Sequence, residues 1–360
     1  MFPKLKIGDL IANVPIIQGG MGVGVSVSGL AAAVANEGGI GVISSVALGA
    51  LQNAKTKLKS QNLQALRNEI AKAKSMTSGI LGMNVMVAAT DFEDLILTGI
   101  KSKIDIIFIG AGLPTKLPKI FNKEYKESIK TKLAPIVSSA RAAKLIFKTW
   151  EKKYNFVPDA VVVEGPKAGG HLGFSVEQIN DPNYSLEKII PEVVEFILPF
   201  KEKYNKDIPI IAGGGIFSGE DIKKIMELGA DGVQMGSRFV ATNECDASIE
   251  FKQQYVDCKK EDIDLIKSPV GLPGRAIFNK FLKQVKEKKR KPVNCPWHCL
   301  KSCKMNDSMY CIADALTNAC KGKIDDGFCF AGANAYRINK IVSVKELISE
   351  LRAGFLNSKR

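Results

Sequence analysis

His171 is one of only two histidines in 360 residues. It follows two glycines in the run Glu164-Gly165-Pro166-Lys167-Ala168-Gly169-Gly170-His171-Leu172-Gly173. An imidazole titrates near neutrality, so it can exchange a proton with a substrate carbon or oxygen. A histidine that only packs is the competing reading. Two further runs are built to receive an anion: Ala212-Gly213-Gly214-Gly215-Ile216 and Gln234-Met235-Gly236-Ser237-Arg238. Glycine lets a phosphate approach the backbone, free N–H groups supply donors, and Ser237 adds a hydroxyl. Either run alone would pass for an ordinary turn; two at consecutive strand ends point to phosphate. Upstream, Gln18-Gly19-Gly20-Met21-Gly22 offers bare backbone beside a thioether, a surface for a flat ring such as a flavin, or simply a tight turn. Asn84 interrupts the apolar run Gly82-Met83-Asn84-Val85-Met86. A buried Asn must be hydrogen-bonded, to a flavin or ribityl group on one reading and to the protein itself on the other.

These residues need a scaffold that gathers them, and the hydrophobic pattern suggests one. Short apolar runs recur at 14–17, 40–43, 80–86, 104–109, 134–137, 160–163, 208–212 and 232–235. They lack polar alternation, which suits strands covered on both faces, as in a parallel sheet. Helix-like segments lie between them, at 26–36, 51–74, 139–153, 185–203 and 218–228. Ser218 with Asp221 reads as an N-cap and acidic first turn. Eight βα units in about 240 residues fit an α/β fold of the (β/α)₈ TIM-barrel type, with a doubly wound sheet as the alternative. In such barrels the active site lies at the C-terminal strand ends, and phosphate commonly binds after strands 7 and 8. That is where His171 and the two glycine loops fall.

Beyond residue 244 the pattern changes. Residues 245–291 read as helical and charged, broken by a turn-rich loop at 268–275, and 292–321 is rich in cysteine. A glycine/alanine loop at 327–335 precedes an amphipathic helix at 343–352. The expected organisation is a barrel of residues 1–244 completed by 323–360, with 245–322 as a helical, Cys-rich lid module. Cys295, Cys299, Cys303 and Cys311 run as C-x3-C-x3-C-x7-C. On a helix the first three share a face, and four thiolates can hold zinc or an iron–sulfur cluster. The spacing is neither a zinc-finger nor a ferredoxin pattern, so no metal ligands are assigned; reduced thiols filling a small module are the other reading. His298 beside them reads as a surface residue.

Composition narrows the class. Hydrophobic residues at 46% and charged residues at 24% belong to a globular chain rather than a disordered or fibrous one. No apolar run reaches the roughly 20 residues of a membrane span. Residues 1–20 lack the pattern of a secretory signal, so the cytoplasm is the expected location. The formal charge of +14 would suit an acidic partner. The lysines, however, are scattered (Lys55, Lys57, Lys59; Lys223, Lys224), and only 286–291 is dense, without interleaved aromatics. A basic nucleic-acid-binding protein with a zinc module is the non-enzymatic alternative, and it leaves the glycine loops unexplained.

With these motifs in place, the chain resembles the nitronate monooxygenase family, formerly 2-nitropropane dioxygenases. It equally resembles the related flavin-dependent enoyl-acyl-carrier-protein reductases. The matching segments are PIIQGGMG, GMNVM, IGAGLP, EGPKAGGHLG, PIIAGGGI, DGVQMGSRF and GFCFAGANAYR, in order from residue 14 to about 340. The resemblance implies an FMN-bearing barrel with His171 near the flavin and as its acid/base residue. The phosphate would lie on Gly214, Gly215, Gly236 and Ser237. Gln234, Met235 and Asn84 would stand close to the cofactor, Gly20 and Met21 at the ring, and Gly169 and Gly170 beside the histidine. The monooxygenase branch oxidises alkyl nitronates with O₂; the reductase branch spends NAD(P)H on an enoyl thioester. The implied partners are therefore a small-molecule substrate, an acyl carrier protein in the second branch, and a second copy in a homodimer, with neither nucleic acid nor membrane.

Overall fold

A computed structural model describes residues 2–52, 58–121, 129–290, 295, 297–301, 303 and 308–358. All eight apolar runs are strands, with ends within two residues of expectation: β1 (Ile16–Gln18), β2 (Gly41–Ser44), β3 (Leu81–Met86), β4 (Ile106–Gly110), β5 (Lys132–Val137), β6 (Val161–Glu164), β7 (Ile210–Gly213) and β8 (Gly232–Met235). Each pairs in parallel with its sequence neighbour from β2 to β8, and β8 pairs with β1. A parallel bridge from Ile17 to Ile40 joins β1 to β2, with Gln18 N–H donating to Ile40 O at 3.0 Å. The sheet therefore closes, which removes the doubly wound alternative and makes the fold an α/β (β/α)₈ barrel.

Side-chain parity explains the uninterrupted apolar runs. Along β4, Ile106 and Phe108 face the barrel interior while Ile107 and Ile109 face the helices. Along β6, Val162 points in, with Val161 and Val163 out. Both faces are dry, so neither needs polar residues. An N-terminal hairpin, Leu5–Ile7 with Leu10–Ala12, contributes Leu5, Ile7 and Ala12 to the interior cluster and plugs that end of the barrel.

The helices form for local reasons that the strands then use. In Ala140–Tyr154, Ser139 Oγ accepts from Ala142 N–H at 3.2 Å and caps the start. Its buried residues Ala143, Ile146, Phe147, Trp150 and Tyr154 share one stripe, while Arg141, Lys144, Lys148 and Lys152 stay exposed on the opposite face. Ser218 and Asp221 make a reciprocal capping box at the start of Gly219–Glu227. The final helix, Val344–Asn357, packs against that helix so closely that a Cβ at Gly219 would lie 2.0 Å from Leu351 O.

The reading of 245–291 as helical needs correction. Helices Ile249–Asp257 and Lys280–Lys286 are present, but between them Ile263–Lys267 and Pro273–Ile277 form an antiparallel hairpin. Pro273 stands at the first position of its strand, where proline is tolerated; with Gly274 it made the segment read as loop. The hairpin's second strand also pairs with the two residues Gly170–His171.

The cysteine segment differs from expectation too. No described residue from 295 to 303 is helical; Leu300 bridges Ala89, and the next helix is Ile312–Cys320 with Cys311 at its cap. Cys295, Cys299 and Cys303 thus share no helical face. Burial pushes the thiols of Cys299 and Cys311 up to about 12 and about 11, which keeps them protonated and poorly nucleophilic. Among the described residues, no three His, Cys, Asp or Glu side chains are grouped to hold a metal ion. No described helix is long and apolar enough to cross a membrane. Lys55, Lys57, Lys291 and Pro296 lie outside the described residues.

Candidate active site

Strand parity sets the site. Two residues beyond inward-facing positions on three strands, at the C-terminal rim, stand Gly110 after Phe108, Glu164 after Val162 and Gly213 after Ile211. Asn84 on β3 and Gln234 on β8 line the same opening. The apolar interior thus ends in a layer of glycine, amide and carboxyl groups. Above it lies a cavity of about 1210 Å³. Ligand sites commonly run to about 300–1,000 Å³, so there is room for a cofactor and a second molecule. Gly20, Met21, Asn84, Gly169, Gly170, His171, Gly214, Gly215, Gln234, Met235, Gly236 and Ser237 all line this one cavity.

At the β7 and β8 ends the geometry suits an oxyanion. Gly214 and Gly215 adopt φ of +97° and +86°, which favours glycine. The N–H groups of Gly214, Gly215 and Gly236 have no acceptor among the described residues. A Cβ at Gly236 would touch only Met21, with Sδ at 3.4 Å. Ser237 Oγ accepts from Gly332 N–H at 2.9 Å, leaving its own proton for a ligand. Asn334 Nδ2 donates to Gly215 O and ties the same C-terminal segment to the β7 loop. Gly332 and Asn334, from the GFCFAGANAYR run, therefore form a third wall of this cradle, one that the two glycine motifs do not announce. The residues fit a phosphate-bearing cofactor.

Beside the β8 loop, Gly20 is needed for packing: its Cβ would come 2.4 Å from Asn84 Cβ. The approach brings Gly20 backbone and the Asn84 amide onto one surface. Asn84 Nδ2 reaches only Phe108 O, at a long 3.5 Å, and Gln234 has no side-chain hydrogen bond among the described residues, so both amides are available to a ligand.

The loop carrying His171 is held from behind. The buried Arg275 guanidinium donates from Nη1 to Pro166 O and Ala168 O at 2.6 and 2.7 Å. His171 is strand-paired with Gly274, and Leu172 N–H donates to Pro273 O at 2.9 Å. The imidazole stands edge-on to Phe330, centroids 5.0 Å apart, and its Nε2 lies 2.7 Å from Ser268 Oγ. Burial lowers the imidazole to about 4, so the ring is neutral at pH 7. Glu164, also on the cavity wall, is pushed by burial up to about 7. Opposite shifts on two groups of one cavity are a pattern of acid/base sites. Motif reading did not find Ser268, Phe330 or Arg275, because each lies about 100 residues or more from His171 in sequence and carries no local signal.

From the rim the cavity continues along the exposed face of Ala140–Tyr154, past Arg141, Lys144, Lys148 and Lys152. None of these four has an ion-pair partner among the described residues.

A closed βα barrel with a glycine-lined anion cradle, rim amides and one enclosed imidazole has the form of a cofactor-dependent barrel enzyme. Residues 4–354 match the family model described as nitronate monooxygenase, and the chain belongs to that family of oxidoreductases. Among its relatives, a probable nitronate monooxygenase of Staphylococcus aureus (strain JH9) is 25% identical over 324 residues, covering 80% of this chain and 82% of the relative. Among solved structures, FabK from Thermotoga maritima superposes with a TM-score of 0.72 at 25% identity, covering 96% of this chain and 93% of that one. A nitroalkane oxidase from Streptomyces ansochromogenes gives 0.71 at 21% identity, with 96% of each chain covered, and shares the fold.

Proposed function

We propose that the protein is an FMN-dependent oxidoreductase that oxidises alkyl nitronates with O₂, and that His171 meets the substrate. The observation that carries this reading is that His171 and the glycine loops of β1, β7 and β8 open on one cavity. Gly214, Gly215, Gly236 and Ser237 would hold the FMN phosphate, and Asn84, Gln234, Gly20 and Met21 would border the ring. The backbone of Met235, Gly169 and Gly170 completes the wall. When bound, FMN would supply the redox chemistry that couples substrate oxidation to O₂. The protein's own part is to orient the substrate and manage one proton: the neutral His171 can donate a hydrogen bond to an anionic oxygen or exchange a proton with it. Described residues of the 245–322 segment act as the lid: Val270, Leu272 and Leu300 line the cavity and Ser268 meets its histidine.

The test is His171→Ala in the FMN-loaded enzyme. The variant should keep its yellow cofactor and lose about 10²-fold or more in turnover; full activity would remove His171 from the reaction.

One observation favours a second reading, a NAD(P)H-dependent reductase of an enoyl thioester carried on acyl carrier protein. The cationic stripe Arg141, Lys144, Lys148 and Lys152 continues the cavity outward, where a substrate with an acidic carrier would lie. Adding NADH or NADPH without oxygen separates the two. Rapid loss of flavin absorbance supports the reductase; no loss, with nitronate turnover in air, supports the monooxygenase.

A further inference from the structure

We propose that Ser268 is a positioning residue that holds His171 in the tautomer protonated on Nδ1, so that the ring offers the substrate an N–H and no free lone pair. This deepens the function proposed above and rests on its placing of His171 against the substrate. It gives a physical reason for the ring to meet an oxygen already carrying negative charge, as on the nitronate proposed above.

The argument is a count of protons and lone pairs. Ser268 opens the turn between Ile263–Lys267 and Pro273–Ile277, is 4% exposed and does not itself line the cavity. Its backbone is held on both sides: Ser268 N–H donates to Leu272 O at 3.3 Å, and Gly271 N–H donates to Ser268 O at 2.9 Å. A hydroxyl has one proton to give and two lone pairs. One lone pair of Oγ takes the Val270 N–H at 3.2 Å. The proton has one acceptor among the described residues, His171 Nε2 at 2.7 Å; if the second lone pair instead took a hydrogen from Nε2, the buried hydroxyl proton would be left without an acceptor, which is the costlier arrangement. A neutral imidazole whose Nε2 accepts must carry its hydrogen on Nδ1.

The surroundings favour that state. The Phe330 ring, edge-on at 5.0 Å, packs against the imidazole and limits its rotation. Burial alone accounts for the lowered imidazole; no carboxylate or cation adds to it, so nothing nearby stabilises a second ring proton. With Nε2 occupied by Ser268 and Nδ1 already protonated, His171 cannot remove the α-proton of a neutral nitroalkane without first giving up a hydrogen bond. Its Nδ1–H has no acceptor among the described residues and is left to donate to a nitronate oxygen in the cavity that the residue lines. Pairing a fixed donor with an anionic acceptor gives the stronger, charge-assisted bond.

The chain has two histidines, and His298 is exposed, so the tautomer can be read directly. Full-length protein labelled with ¹⁵N-histidine is compared as wild type, Ser268→Ala and Ser268→Thr, with His298→Gln to assign the signals. Wild type and Ser268→Thr should show His171 protonated on Nδ1 with Nε2 bare. Ser268→Ala should shift the ring towards the Nε2-protonated form and raise its apparent pKa, because the neutral ring loses a donor. In turnover, Ser268→Ala should raise KM for a nitronate about tenfold, the equivalent of one lost hydrogen-bond preference, with threonine restoring it. A wild-type ring protonated on Nε2, or an Ser268→Ala ring indistinguishable from wild type, overturns the proposal. Because the tautomer is observed without substrate, its failure is separate from failure of the nitronate reading, which would appear as an Nδ1-protonated ring in an enzyme that does not turn nitronates over.

Discussion

Replacing Glu164 by glutamine should reshape the pH dependence of stability in a way that no surface carboxylate would. In the folded chain the Glu164 carboxyl is held at about 7 by burial, against an ordinary 4.5. Between those values the native state keeps a proton that the unfolded chain has released, so stability falls as pH rises. The full shift corresponds to about 3 kcal/mol at 1.36 kcal/mol per pH unit. That is an upper value, because Glu164 borders a cavity that admits water. His171 acts in the opposite sense. Its folded value of about 4 lies below the ordinary 6.5, so stability is lost as pH falls through that window. In the wild type the two slopes largely cancel between pH 4.5 and 6.5. Glu164→Gln removes the falling slope and leaves the rising one. Urea unfolding of the cofactor-free full chain at half-unit steps from pH 4.5 to 8 measures both curves. The difference, variant minus wild type, should grow in the variant's favour by about 2–3 kcal/mol across that range. A constant offset, with the two profiles parallel, would refute the argument and mean that Glu164 ionises like a solvated carboxylate.

Other perturbations test the remaining parts of the site. Gly236→Leu should fold normally, since a Cβ there meets only Met21, but its side chain enters the anion cradle; FMN affinity should drop about tenfold or more, and stoichiometric flavin in the purified variant would count against the phosphate assignment. Arg275→Met leaves the carbonyls of Pro166 and Ala168 without their donor. We expect a loss of about 3 kcal/mol in unfolding free energy and faster amide exchange in 165–172; unchanged exchange there would show that the loop does not need the guanidinium. Asp246 accepts from Val27, Gly29 and Leu30 N–H at 2.9, 2.9 and 3.1 Å, at the start of helix Ser28–Asn36. Asp246→Ala should cost about 2 kcal/mol, the upper range for a cap, with Asn recovering part of it; equal stability of the Ala variant would contradict the capping role.

Much of the fold was legible because strand burial is written into residue type. A parallel barrel strand is dry on both faces, so runs such as Ile106–Gly110 and Val161–Glu164 stand out as continuous apolar segments. Glycine reports backbone demands in the same direct way: Gly214 and Gly215 are glycines because the chain turns left-handed there. Closure of the sheet was not local information, since the contact between Ile17 and Ile40 becomes visible only once strand tilt and register are set. The second strand of the 263–277 hairpin is hidden in the sequence because its Pro-Gly start resembles a loop until partner strands supply its hydrogen bonds.

Residue type and short spacing are enough to specify the repeating units, the glycine loops and one histidine near a strand end. Tertiary structure alone decided what surrounds that histidine. Ser268 is 97 residues away, Phe330 further still, and Glu164 takes its unusual proton affinity from an enclosure to which no neighbouring residue testifies. Desolvation and hydrogen-bond partnership are properties of position in space, and the chain acquires them only when distant segments meet around one cavity.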